Sequence, residues 1–236
     1  MAKKARTPPP PRKVQAPRQR TEQRAGLSDR QKLWILSGVA GLGIVGVAVA
    51  VVLFATAGGG GANDKGIAQA LAKAGCTYHV YQATSQRHVT SVNSKVKYNS
   101  FPASNGAHYF RPAPWGSYSD PVPQVVAVHN LEHGGMLIEY GPKVSTSDKD
   151  AIDAFYSADR NGMLVFPYPA LGKRIAFVAW TADLDRLSSN RAKGYHGEGR
   201  VAICTRFDGD AAKAFQHAFR AKGPERFPLD ALKPGD

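Results

Sequence analysis

The residues best suited to chemistry fall in one stretch, Asn99–Tyr140, whose centre reads His129-Asn130-Leu131-Glu132-His133. Two histidines four apart share a face in a helix and in a strand alike, but only the helix brings them close. On a helical turn their Cβ atoms are roughly 5–6 Å apart, so both imidazoles can meet one ion at bond lengths of about 2.1 Å. On a strand the same four residues span roughly 13 Å. Chelation by His129 and His133 therefore requires a helical turn, and that turn also brings Glu132 beside them. His108 is expected to arrive from the preceding loop, with His88 or Glu132 completing the shell. Three histidines suit zinc or copper, and the thioether of Met136 would favour copper if it faced the site. A competing reading stays open, in which these histidines cap loops and hydrogen-bond within a polar core. His79, His196 and His217 read as surface or structural residues.

The order His-x-x-Glu-His is also the inverted zinc-protease pattern, in which the glutamate activates a metal-bound water. On that reading the protein is a zinc-dependent hydrolase with Glu132 as the catalytic base and Glu198 as a further ligand. The pattern needs a sustained helix, however, and Gly134-Gly135 stops one. A third reading is a non-catalytic cell-envelope interaction module, with Tyr109, Phe110, Trp115 and Tyr118 as a binding surface. Aromatics set among prolines can equally staple long loops onto a core.

Positioning these residues falls to short strands and a few helices. After the Gly-Gly pair, Met136–Tyr140 reads as a strand. Val92–Tyr98, Met163–Phe166, Ile175–Thr181 and Val201–Phe207 are further strands, and Cys76–Tyr81 alternates like one. Gly66–Ala74 forms a short helix. Ser145–Arg160 begins with hydroxyl caps and an acidic turn, then places Ile152, Phe155 and Tyr156 on one side. Asp210–Lys222 is a helix ended by Gly223-Pro224, and Asp183–Tyr195 reads as loop or short helix. Without regular βαβ alternation, these elements predict an α+β domain with a largely antiparallel sheet and two or three helices.

The formal charge of +13 is unevenly spread. Ten basic and two acidic side chains fall in residues 1–32, so eight of the net positive charges sit there. This stretch, rich in Pro, Arg, Lys and Gln, lacks the apolar residues needed to fold and is expected to be a disordered tail. Residues 33–57, LWILSGVAGLGIVGVAVAVVLFATA, carry no charge and at ~1.5 Å per residue can cross a bilayer core as one transmembrane helix. A Gly-x-Gly-x-x-Gly match at Gly41–Gly46 lies inside this segment, where no βαβ unit can form, so it predicts no dinucleotide site. The basic flank places the tail in the cytoplasm and the remainder outside the cell membrane; a cleavable signal peptide is the alternative, against which the length of the apolar run argues. Residues 58–66 read as a Gly-rich linker and 67–236 as the extracytoplasmic domain. Outward topology disfavours a nucleic-acid partner. It leaves membrane lipid, through Leu33–Ala57, and an unidentified envelope partner. In an oxidising compartment the two cysteines, Cys76 and Cys204, are most simply a disulfide, the alternative being two separate buried thiols.

The central stretch resembles the bacterial family catalogued as domain of unknown function 3105. The resemblance rests on Pro102-Ala103-Ser104-Asn105-Gly106-Ala107-His108-Tyr109, on Trp115-Gly116-Ser117-Tyr118, and on Val128-His129-Asn130-Leu131-Glu132-His133-Gly134, in that order. It extends over most of residues 75–228, including Trp180 and the Gly-Pro-Glu at 223–225. The first segment departs from the family's Pro-Pro-Thr-Ser-Gly-x-His-Tyr at Ala103, Ser104 and Asn105, which bears on the placement of His108. The resemblance implies a membrane-anchored outer domain with a histidine-rich site, and it carries no reaction with it.

Overall fold

The computed structural model describes residues 62–236. The basic tail and the apolar segment 33–57 lie outside them, and among the described residues no helix is long and apolar enough to cross a membrane. The expected linker ends earlier than its glycines suggest, because residues 62–66 already belong to the first helix, α1 (Ala62–Lys73). Asp64 in its first turn favours the helix dipole and is fixed by the Arg200 guanidinium at 2.6 Å. Gly75, at φ +78°, then turns the chain into the first strand.

Among the described residues eight strands follow, β1 (Cys76–Gln82), β2 (His88–Val89), β3 (His108–Tyr109), β4 (Gly116–Ser117), β5 (Met136–Tyr140), β6 (Met163–Pro167), β7 (Ile175–Thr181) and β8 (Glu198–Cys204). Between them lie α2 (Gln124–Glu132), α3 (Thr146–Ala158), α4 (Leu184–Asn190) and, last, α5 (Gly209–Phe219). The main sheet has the order β1-β8-β7-β5-β6-β4, with β2 and β3 forming a separate parallel pair. It is largely antiparallel as expected, from β1 through β8 and β7 to β5. Beyond β5 it turns parallel, because α3 crosses over between β5 and β6.

Five helices form among the described residues where two or three were expected. Asp183 supplies one reason: its carboxylate accepts from the Arg186 N–H, a cap that makes α4 a true helix of a polar stretch. Val92–Tyr98, expected as a strand, is not one; its Val92, Val96 and Tyr98 pack on the core without a neighbouring ladder. Period-two alternation describes any extended segment that lays one side on a core, so the pattern alone cannot tell the two apart.

Strand β7 shows how the sheet sorts its neighbours. Ile175, Phe177 and Ala179 face one core, with α1, α3 and α5, while Ala176, Val178 and Trp180 face the other. Both faces are covered, so the strand reads as a continuous apolar run. The second face carries α2 through Val125, Val128 and Leu131, together with the long connection between β1 and α2. The cysteines pair across the β1–β8 register as a disulfide, and both are buried.

Candidate metal centre

Helix α2 runs to Glu132, and His133 continues its geometry as the C-cap at φ −70°, ψ −6°. Gly134 then adopts φ +96°, the left-handed closing conformation that a side chain disfavours. The 129–133 segment is therefore the helical turn that chelation demands, and His129 Nε2 lies 3.1 Å from His133 Nε2. Asn130, between them, is fully buried. Its side chain accepts from the Ala113 N–H at 2.9 Å and donates to the Ala113 carbonyl at 2.8 Å, which clamps the preceding loop onto α2.

His108 and His88 come from the small parallel pair, in which they are direct partners. His108, fully buried, meets the Trp180 indole edge-on with centroids 6.0 Å apart. The degraded first motif still seats it firmly. The Ser104–Asn105 segment lies on β8 at Gly199, where a Cβ would come within 2.1 Å of Ser104 Oγ and 2.5 Å of Asn105 Nδ2. Gly199→Ala is expected to cost about 1–3 kcal/mol by overpacking and to displace His108. Thermal unfolding of that variant at the wild-type temperature would show that the segment does not rest on the sheet.

The histidines are oriented by backbone carbonyls. His108 Nδ1–H donates to the Gly106 carbonyl at 2.8 Å, and His129 Nδ1–H to the Tyr109 carbonyl at 2.7 Å. A carbonyl can only accept, so each ring must carry its proton on Nδ1 and turn Nε2 inward. This is the outer-shell arrangement that metal-bound histidines use. Glu132, 2% exposed, accepts from Gln86 Nε2 at Oε1, while Oε2 lies 2.9 Å from His108 Nε2 and 3.6 Å from His88 Nε2. Since His108 already spends one proton on Gly106, the facing Nε2 and carboxylate require a second proton or a cation between them.

His88, His108, His129 and Glu132 thus form a group that could hold a metal ion, with one donor atom each and all four atoms within 4.8 Å of one another. Tetrahedral bonds of about 2.0–2.1 Å separate ligand atoms by roughly 3.4 Å, so from a spread of up to 4.8 Å the set needs to close by at most about 1.4 Å. His88 forms the rim, its side chain 48% exposed, and stacks on His129 with centroids 5.0 Å apart. Burial, then the neighbouring charges of His108 and His88, lowers the proton affinity of His129, although its bond to Tyr109 opposes this. Burial, then the neighbouring charge of His129, pulls His133 down to about 4, so at neutral pH it is an uncharged imidazole. Burial would raise Glu132, but hydrogen bonds from His108 and Gln86 outweigh it and hold the carboxyl below its ordinary value.

Other expectations fall elsewhere. Met136 is buried among the residues of the opposite face, with Ile138 and Tyr140, so its thioether does not point at the histidines. Glu198 does not join them either; it binds Arg200 at 2.7 Å and Gln82 at 3.2 Å. Trp115 and Tyr118, 3% and 2% exposed, are core residues, which leaves Phe110 as the exposed member of the proposed aromatic surface. His79 and His217 are exposed as expected, and His196 gives its carbonyl to Trp180 Nε1. His133 stands just outside the compact group, between His129 and Glu225, whose Oε2 is 3.1 Å from its Nε2. Gln86 carries no signal in the sequence that marks it for the site, and for Glu225 the one signal is its place in a segment of the family resemblance. Gln86 stands two residues before His88, and Glu225 ends the Gly-Pro-Glu at 223–225.

Residues 88–226 match the family described as "Protein of unknown function (DUF3105)". The chain belongs to this family. The matched region spans the site from His88 to Glu225 and omits α1 and Cys76. No curated protein and no solved structure matches the chain.

Proposed function

We propose that this DUF3105 protein is a single-pass, membrane-anchored extracytoplasmic protein that binds one divalent transition ion, zinc or copper, through His88, His108, His129 and Glu132. The observation that carries the reading is the pair of Nδ1–H bonds to Gly106 and Tyr109, which commits two buried Nε2 lone pairs to a carboxylate-lined centre. Three imidazoles and one carboxylate suit zinc or divalent copper. Monovalent copper is disfavoured, because Met136 faces the other core and both cysteines are in the disulfide.

The donor set supports binding over hydrolysis. In the inverted zinc-protease pattern the glutamate stays free as a base, whereas Glu132 lies within the ligand group and its other oxygen is held by Gln86. Four protein donors also make a closed site, of the kind that holds an ion rather than activating water. The envelope-interaction reading loses two of its four aromatics to the core.

Competition titration of Zn²⁺ on the metal-free full-length chain tests the binding. His108→Ala and His129→Ala are each expected to weaken affinity by at least about 100-fold, beyond the effect of losing an outer-shell partner. Unchanged affinity in both would assign the histidines to loop support. A reporter fused after Asp236 is expected to be active outside the membrane, by the charge bias of residues 1–32. Activity inside would reverse the topology.

A further inference from the structure

Beside the four-residue group lies a second pair of donors that it does not use. His133 Nε2 is 3.1 Å from His129 Nε2 on one side and 3.1 Å from Glu225 Oε2 on the other. Glu225 is 41% exposed at its side chain, and His133 is 16% exposed, so the line Glu225, His133, His129 runs from solvent to the buried centre. Three backbone bonds fix the segment that carries Glu225. Ala221 N–H donates to Gly134 O, Glu225 N–H to Glu132 O, and Phe227 N–H to His133 O. Gly223 allows this contact, since a Cβ there would stand 2.4 Å from the Glu132 carbonyl oxygen. The Phe227 ring covers His133 with centroids 4.4 Å apart. The chain thus holds a carboxylate at the mouth against an imidazole that already touches an inner ligand.

Resting on the reading of the inner group as a metal site, we propose that His133 and Glu225 form an outer landing position that passes the ion inward through His129. An arriving cation is attracted by the Glu225 carboxylate and binds Glu225 Oε2 and His133 Nε2. The His133 proton moves from Nε2 to Nδ1 by exchange with water, so no acid or base is consumed. The ion then gains His129 Nε2, releases Glu225 and His133, displaces to water the proton held between His108 Nε2 and Glu132 Oε2, and completes its shell with His108, Glu132 and His88. His133 recovers its Nε2 proton from water and its bond to Glu225. Because the ion gains His129 before it releases Glu225 and His133, it never returns to full hydration between the two positions.

A pathway residue changes rates, whereas a resident ligand changes affinity. Stopped-flow mixing of Zn²⁺ with the metal-free full-length chain, and removal of Zn²⁺ by excess chelator, would be compared for wild type, Glu225→Gln, His133→Asn and His108→Ala. Glu225→Gln alters an exposed side chain, so it keeps the test valid if His133→Asn folds poorly. In both outer variants the association and dissociation rates are expected to fall together, by about tenfold, the lower end of what a charged mouth contributes to capture. The dissociation constant should stay within about threefold of wild type, because a group that holds the ion only in passage alters the barrier and so changes both rates by the same factor. Unchanged rates would overturn the proposal and leave entry past the exposed His88. An affinity loss as large as that of His108→Ala would also overturn it, by making His133 a resident ligand. If wild type itself takes up no Zn²⁺, the inner site fails first, and that result is visible before any variant is compared.

Discussion

Glu139→Gln is expected to stabilise the domain, and to do so most at alkaline pH. Glu139 sits on the central strand β5 with its side chain fully buried, on the face that packs against α2. Its Oε2 accepts from Gln124 Nε2 at 2.8 Å, while Oε1 is buried without a partner. Burial, only partly offset by the bond from Gln124, pushes its carboxyl up from 4.5 to about 8. The folded state therefore keeps a proton that the unfolded state loses near pH 4.5. Between these values each pH unit removes up to about 1.4 kcal/mol of stability, and the loss is complete above about pH 8. The shift implies a total on the order of 3–5 kcal/mol. Glutamine has the shape of the protonated acid without its titration. Urea unfolding at about pH 5 and about pH 9, on either side of the folded-state value, should show wild type losing stability across that interval and Glu139→Gln holding steady. Parallel pH dependence in the two proteins would mean that Glu139 is ionised and solvated. Since Gln124 begins α2, the change also reports on how the site helix is seated.

Removing the disulfide is the second large effect. Cys76 and Cys204 are 128 residues apart and stand opposite each other in the β1–β8 register. Among the described residues β1 is an edge strand, paired in the sheet with β8 alone. The chain-entropy model gives about 5 kcal/mol for closing a loop of this length, with about 2–5 kcal/mol typical for loss of a native bridge. Cys76→Ala/Cys204→Ala should lower the urea midpoint accordingly, and β1 with α1 should exchange amide protons first. A midpoint equal to that of the oxidised wild type would show that the β1–β8 ladder holds this edge without the bond. The matched family region begins at His88, so the bridge fastens β1 and α1, which lie before that region, to β8 within it.

The local half of the site was legible because helical spacing is a local property. His129, Glu132 and His133 fall within one turn, and Gly134 marks its end, so one short stretch, 129–134, carries the whole inference. The strand after it, the hydroxyl cap of α3 at Ser145, whose Oγ accepts from the Asp148 N–H at 3.1 Å, and the cysteine pair were legible for similar reasons. The long-range half was not. His88 joins His108 through a two-residue parallel pairing that no periodicity announces. Glu225 reaches His133 across some ninety residues by way of backbone bonds to α2's last carbonyls. Sequence proximity puts Met136 near the histidines, yet alternation along β5 sends it, Ile138 and Tyr140 to the opposite core and leaves Leu137 on the site's face. The charge of Glu198 suggests a ligand, and that same charge seats it elsewhere, beside the buried guanidinium of Arg200.

The most direct measurement is the metal content of the full-length chain, purified without a histidine tag and analysed beside His108→Ala, His129→Ala and His133→Ala. A closed site of three histidines and one glutamate predicts about one zinc or copper ion per chain, absent from the first two variants and retained in the third. Wild-type protein that carries no such ion, and takes none up from micromolar supply, would contradict the account and leave His108 and Glu132 as a buried hydrogen-bonded pair.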